Sequence, residues 1–240
     1  MTAYDTRLQG REEVASGTMA FHFEKPAGFT FKPGQAIDVV LLDPPTADAQ
    51  ISRHTFSIVS APFENELVIA TRMRDSPFKR ALKALPIGSP LAIEGPFGSL
   101  VLHKDQARPA VFIAGGIGIT PFMSMLRQAT KERAPQRLLL LYSNRRPQDA
   151  AFLAELQQLE RENETFRLVA TMTELGDLRC PWDRQTGLID GPLIKNAIAG
   201  LRAPVFYVAG PPGLVEAMRR TLNGAGIEDE DIRSEDFFGY

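Results

Sequence analysis

Three glycines and a proline interrupt two apolar runs in "IAGGIGITPFMSML" (Ile113–Leu126), and a bend this bare can receive a phosphate or simply turn a corner. Gly115, Gly116 and Gly118 let backbone approach a pyrophosphate with no Cβ in the way. Thr120 is a candidate cap for the helix that follows, and Pro121 fits its first turn, where a missing amide hydrogen costs nothing. The pattern Gly116-x-Gly118-x-x-Pro121 departs from the dinucleotide fingerprint, which has glycine at the last place, so a packing corner stays open. A second apolar run ends in "YSNRRP" (Tyr142–Pro147), with Ser143, Asn144, Arg145 and Arg146 where an NAD site usually places an acid. Arginine there suits the extra phosphate of NADP, the alternative being a solvated turn. "VAGPPGLVEAM" (Val208–Met218) repeats the order of strand, glycine and helix, with Gly210 and Pro211 at the bend. In "RHTFSIVSAP" (Arg53–Pro62), strand alternation puts His54 and Phe56 on one face and Arg53, Thr55 and Ser57 on the other. An aromatic wall, a hydroxyl and a cation are what a flat redox ring with a phosphate tail needs; a half-buried strand with one wet face is the plain alternative.

Composition narrows the classes. With 240 residues and 44% hydrophobic content, the chain can bury one large core or two smaller ones. A net charge of -2 from scattered residues lacks the basic footprint of a nucleic-acid binder. One cysteine, Cys180, excludes a disulfide framework or an all-cysteine cluster held within these residues, and points to a reducing cytoplasmic setting. His22, His54 and His103 show no metal-ligand spacing. No apolar run approaches the roughly 18 residues of a membrane span, so a soluble protein is expected.

The elements that must position these residues fall into two rhythms. Thr18–Glu24, Ala36–Leu42, His54–Ser60, Glu66–Met73 and Pro90–Gly95 read as short strands separated by turn residues, with one short helix over Ser76–Leu85. They predict an antiparallel β-barrel or sandwich. After the polar stretch His103–Pro109, continuous apolar runs alternate with helical patterns, which predicts a doubly wound parallel α/β sheet. Two domains are expected, residues 1–105 and 106–240. One predicted helix lies in "PQDAAFLAELQQLERE", with Phe152, Leu156 and Leu159 on one face.

In order along the chain, "RHTFSIVSAP", "RDSPFKRAL", "EGPFGSL", "AGGIGITPFMSML", "LLYSNRRPQDAAFLAEL", "YVAGPPGLVEAM" and "EDFFGY" resemble the ferredoxin-NADP reductase superfamily, from about Asp5 to Tyr240. The resemblance implies an FAD-binding antiparallel barrel followed by an NAD(P)-binding α/β domain. It implies that Phe56 packs on the isoalloxazine and that Ser57 approaches the hydride-accepting nitrogen. His54 stands at the family's arginine position, with Arg53 one residue earlier, as in the "HPFT" version of NADPH oxidase and ferric reductase relatives. Ser76 and Lys79 match the segment that binds the FAD pyrophosphate, and Gly95, Phe97 and Gly98 match the "GPFG" turn at the flavin. Gly115, Gly116, Gly118, Thr120 and Pro121 match the family's own GGxGxxP loop, in which proline is the rule. Gly210 and Pro211 match its CGP turn, with Ala209 in place of cysteine, and Phe237, Phe238 and Tyr240 supply a terminal aromatic over the flavin. The implied activity is hydride transfer from NADPH or NADH to FAD. Electrons then pass to a separate redox protein, such as a ferredoxin or flavodoxin, or to a small molecule. An electron-transfer subunit active only in a larger complex and a non-catalytic dinucleotide sensor are the alternatives.

Overall fold

A computed structural model describes residues 2–42, 52–175 and 182–238. Cys180 and Tyr240 lie outside them. Contacts divide the chain into two compact units, Met1–Val101 with Thr120–Gln128, and Leu102–Ile119 with Ala129–Tyr240.

The first unit is built on six described strands: β1 (Ala3–Ala15), β2 (Thr18–Glu24), β3 (Ala36–Leu41), β4 (Arg53–Ser57), β5 (Glu66–Arg72) and β6 (Pro90–Phe97). They pair antiparallel in the order β4-β3-β6-β1-β2-β5. A bridge between Ile58 and Ile69, with the Val59 amide donating to the Val68 carbonyl at 2.7 Å, joins the two edges and closes the sheet into a barrel. Alternation fills its interior: Leu8, Phe21, Phe23, Ile37, Ile58, Leu67, Ile69 and Ile93 are fully buried. β1 was not foreseen, because most of its 13 residues are polar and exposed. Its place comes from backbone pairing, to β2 along one side and β6 along the other. Helix α1 (Pro77–Ala84) starts after Ser76 and seats Phe78 and Leu82 in the same core.

The second unit carries a parallel sheet in the order β10-β9-β8-β7-β11-β12. Its strands are β7 (Ala110–Gly115), β8 (Leu138–Asn144), β9 (Phe166–Met172), β10 (Gln185–Thr186), β11 (Val205–Gly210) and β12 (Ile232–Asp236). Every residue of β7, β8 and β11 is buried, as continuous apolar runs require. Along the chain α2 (Thr120–Glu132) follows β7, most of it, Thr120–Gln128, belonging to the first unit; α3 (Leu153–Glu162), α4 (Gly191–Ala197) and α5 (Pro212–Gly224) belong to the second. Val111, Ile113, Leu139, Leu141, Phe206 and Val208 share one core with α4 and α5. On the opposite face the Tyr142 hydroxyl donates to the Ala151 carbonyl just before α3 at 3.1 Å. Phe152 is not part of α3; it precedes the helix in a left-handed conformation, φ 60°, and only Leu156 and Leu159 face inward. The stretch after Val101 is fixed to this sheet, the His103 amide donating to the buried Tyr207 hydroxyl at 2.8 Å. No helix among the described residues is long and apolar enough to cross a membrane.

Candidate functional site

On β4 the alternation read from sequence is observed, but the two faces do different work. Arg53 and Thr55 face outward into a polar cluster. Arg53 meets Glu94 at 2.6 Å and Asp38 at 3.8 Å, and the Thr55 hydroxyl donates to Asp38. Arg53 is therefore held by acids of β3 and β6. Phe56 is 6% exposed and belongs to the barrel core, its ring stacked with His54 at 4.7 Å and tilted against Phe78 at 5.9 Å. The ring this face offers to the surface is His54. Its Nδ1 lies 3.0 Å from the Thr55 carbonyl and donates to it, which leaves Nε2 for another partner. Burial pushes the His54 imidazole below its ordinary value, the bond to Thr55 opposes this, and the charge of Lys79 adds to it.

Lys79, in the first turn of α1, is 5% exposed. Its ammonium donates to the Arg72 carbonyl at 2.9 Å, and no carboxylate pairs with it among the described residues. Burial first, and the charge of Arg74 second, push it below the usual lysine range. A buried cation without a counter-charge is costly unless something anionic completes it. Ser76 stands at the helix N-cap with no side-chain cap bond, so the amino end of α1 adds its dipole to the same neighbourhood. The residues present therefore fit an anion. At the other end of β4, Ser57 pairs with Ala36 and Ala36 with Phe97, so register brings Ser57 and Phe97 to one end of three adjacent strands. The bend beyond, with Gly95 at φ 145° and Gly98 at φ 97°, closes β6. From His54 to Ser57 is about 10 Å along the strand, the span of an elongated ligand rather than a compact one.

In the second unit, register aligns the predicted loops at the carboxyl edge of the sheet. Ser143 pairs with Gly115, Ala114 with Ala209, and Ala209 with Glu235. The two glycine turns pack on each other. A Cβ on Gly118 would stand 2.2 Å from the Ala209 carbonyl oxygen, and one on Gly210 would stand 3.2 Å from the backbone of Gly115. Glycine at these places is demanded by the corner itself. Gly116 differs: its φ is 53° and a Cβ there would meet nothing within 4 Å, so its backbone lies open to a ligand. Gly118 and Gly210 thus make the corner, and Gly116 does not. Thr120 is not the cap of α2. A turn of 3-10 helix over Gly116–Ile119 runs directly into α2, so the cap position falls on Ile119 and Thr120 and Pro121 are already helical.

Beyond β8, Arg146 is clamped to Asp149 by two bonds of 2.9 and 3.0 Å. Arg145 stays exposed, 3.6 Å from an equally exposed Glu174, a loose pairing that solvent weakens. Ser143 and Asn144 are buried at the strand end. At the Gly210 turn, the Phe237 amide donates to the Gly210 carbonyl at 2.9 Å, which fixes the chain end there, while Phe238 is 76% exposed.

Glu235 was not anticipated. It is a half-buried acid beside Ala209 whose carboxyl has no hydrogen bond or ion pair among the described residues, and burial raises that carboxyl above the ordinary value. Only the parallel pairing of β12 with β11, made across α5, brings this acid of "SEDFF" to the glycine turn. Because the folded protein holds this proton more tightly than the unfolded chain, its stability should fall as pH rises from the ordinary carboxyl range through the raised value. Glu235→Gln should flatten that fall and leave stability in acid unchanged. Urea midpoints of both proteins across pH 4 to 8 check this, and parallel curves would show that Glu235 is not the cause.

The sequence profile of the Oxidoreductase NAD-binding domain family matches residues 112–220. Among curated proteins, reductase component 2 of terephthalate 1,2-dioxygenase from a Comamonas species is 29% identical over 186 residues, covering 76% of this chain and 54% of that protein. The reductase component of propane 2-monooxygenase from Rhodococcus jostii is 29% identical over 219 residues, covering 89% of this chain and 57% of its own length. The chain thus spans little more than half of these relatives. Among solved structures, a cytochrome P450 reductase from Amycolatopsis superposes with a TM-score of 0.83 at 20% identity, covering 98% of this chain and 70% of the other. A ferredoxin NADP+ reductase from Neisseria gonorrhoeae with bound FAD and NADP gives 0.81 at 20% identity, covering 99% and 100%. These superpositions match the two-part architecture described above.

Proposed function

We propose that the chain is a member of the ferredoxin-NADP reductase superfamily, an FAD-dependent reductase that draws a hydride from NAD(P)H and passes electrons to an acceptor outside these 240 residues. The observation that carries the proposal is Lys79, a buried ammonium at the start of α1 with no carboxylate to answer it among the described residues. FAD, when bound, supplies the conversion of a two-electron hydride into single electrons, which no side chain here can perform.

The chain's own residues hold, orient and exclude water. Lys79, with Ser76 and the amino end of α1, neutralises the pyrophosphate. His54 takes the place of the usual arginine, its pKa rising toward the charged form when an anion arrives. Phe56 serves from inside, fixing the His54 ring by stacking, while the Ser57 hydroxyl would be the hydrogen-bond donor offered to a bound flavin ring. Gly95, Phe97 and Gly98 wall that end. Gly116 offers its bare backbone to the nucleotide phosphates, supported by Gly115, Gly118, Gly210 and Pro211, with Thr120 and Pro121 carrying the loop into α2. Glu235 accepts from a ligand N–H or O–H, and the exposed Phe238 offers a ring on which a flat ligand can stack. Ser143 and Arg145 meet the adenosine ribose and its phosphate. No general base is needed for hydride transfer, and none is assigned.

The relatives are named as reductase components, which favours a protein acceptor, and one cysteine cannot ligate an iron-sulfur cluster by itself. That supports work within a multicomponent system as the second reading. The single cysteine also supports a cytoplasmic setting. Stopped-flow reduction of bound flavin by NADPH and by NADH tests the proposal. Rapid bleaching by either is expected, and a chain that binds no FAD when supplied with it overturns the reading. Arg145→Ala should raise the Michaelis constant for NADPH roughly tenfold and leave NADH nearly unchanged, as loss of one charged hydrogen bond of about 1.5 kcal/mol predicts. Steady-state kinetics with both nucleotides check this; equal effects would remove Arg145 from phosphate recognition.

A further inference from the structure

We infer a second ligand site, for a small oxyanion, at the amino edge of the parallel sheet, the edge opposite the glycine turns. A cavity of about 200 Å³ opens there between the start of β8, the start of β9 and the end of α4. Its floor is formed by Leu138, Leu139 and Phe166, and its rim carries Arg137, Arg167 and one acid, Glu164. Both arginines are exposed, and neither guanidinium makes a hydrogen bond or ion pair with any described residue. Glu164 lies at the same mouth without pairing to either, so the rim keeps a net positive charge.

The frame of this mouth is rigid. The Arg137 carbonyl accepts from the Ala110 amide at 2.9 Å, and the Thr165 carbonyl accepts from the Leu138 amide at 2.8 Å. The Asn163 side chain accepts from the Thr165 amide at 3.0 Å and donates to Thr130 at 3.1 Å. Two guanidiniums rooted in hydrogen-bonded backbone at one mouth, with planar forks suited to carboxylate or phosphate, can close together on a small oxyanion. The cavity is smaller than the roughly 300 to 1,000 Å³ of sites for drug-sized ligands, which restricts the occupant to a small phosphate ester or carboxylate and excludes a dinucleotide.

The site can be tested independently of the proposed activity. Amide NMR spectra of the full chain titrated with glycerol 3-phosphate, and separately with succinate, should show saturable shifts at Leu139 and Arg167. The ligand giving the tighter response identifies the oxyanion. The R137A/R167A double variant should weaken that response at least tenfold while keeping its melting temperature, because both side chains are exposed. Absence of saturable shifts with both ligands, or an unchanged response in the double variant, overturns the inference.

Discussion

Replacing Gly118 with alanine should destabilise the protein by roughly 3 kcal/mol and abolish nucleotide binding, whereas alanine at Gly116 should leave the fold nearly intact. The added Cβ at Gly118 would stand 2.2 Å from the Ala209 carbonyl oxygen and 2.7 Å from the Gly210 Cα, both backbone atoms that cannot rotate away. The end of β11 and the turn after β7 would have to separate, and that edge of the sheet carries Gly115, Gly210 and the chain end bound to Gly210. At Gly116 the only penalty is a left-handed residue with a side chain, about 1 to 2 kcal/mol, with no clash. Its effect should appear instead as a raised Michaelis constant for the nucleotide. Melting curves and nucleotide titrations on the two variants separate the roles. If both lose stability alike, Gly116 is structural too; if neither does, the corner is more yielding than its geometry implies.

The second large effect is expected at Lys79. Lys79→Met keeps an unbranched apolar stem and removes the buried charge. It should weaken FAD binding by about tenfold to a hundredfold, since a charged hydrogen bond contributes about 1.5 to 3 kcal/mol. The same variant, stripped of flavin, should be more stable than the stripped parent at neutral pH. The sign follows from a lysine held below its ordinary value: the folded state disfavours the protonated form that the unfolded chain carries freely. That deficit is fully present below the lowered folded value and disappears as pH rises through it toward the unfolded value. Loss of flavin together with a gain in flavin-free stability is the signature of a residue kept for its ligand. Flavin content by absorbance and urea melts of the stripped proteins measure both arms. A variant that keeps its FAD, or one that loses flavin because it is less stable, would remove Lys79 from the site.

The sequence by itself determined the two-part architecture. Short alternating strands and continuous apolar runs bury differently, and neither pattern depends on distant residues. It also marked the glycine turns between buried strand and helix as candidate phosphate loops, with a packing corner as the alternative. It could not separate cradle from corner within "GGIGITP". That distinction rests on which glycine faces the Ala209 carbonyl and which faces open space, a matter of sheet register between β7 and β11. Nor could alternation tell which face of β4 looks into the barrel; closure of the sheet at Ile58 and Ile69 puts Phe56 in the core and leaves His54 at the surface. Arg53 was legible as a cation on one face of the strand, but not as one paired with Asp38 and Glu94 of neighbouring strands. Lys79 was legible as a position and not as a buried, unanswered charge, and Glu235 was not legible at all. Burial and the lack of a partner are properties of residues far apart in the chain, and only the tertiary structure brings those together.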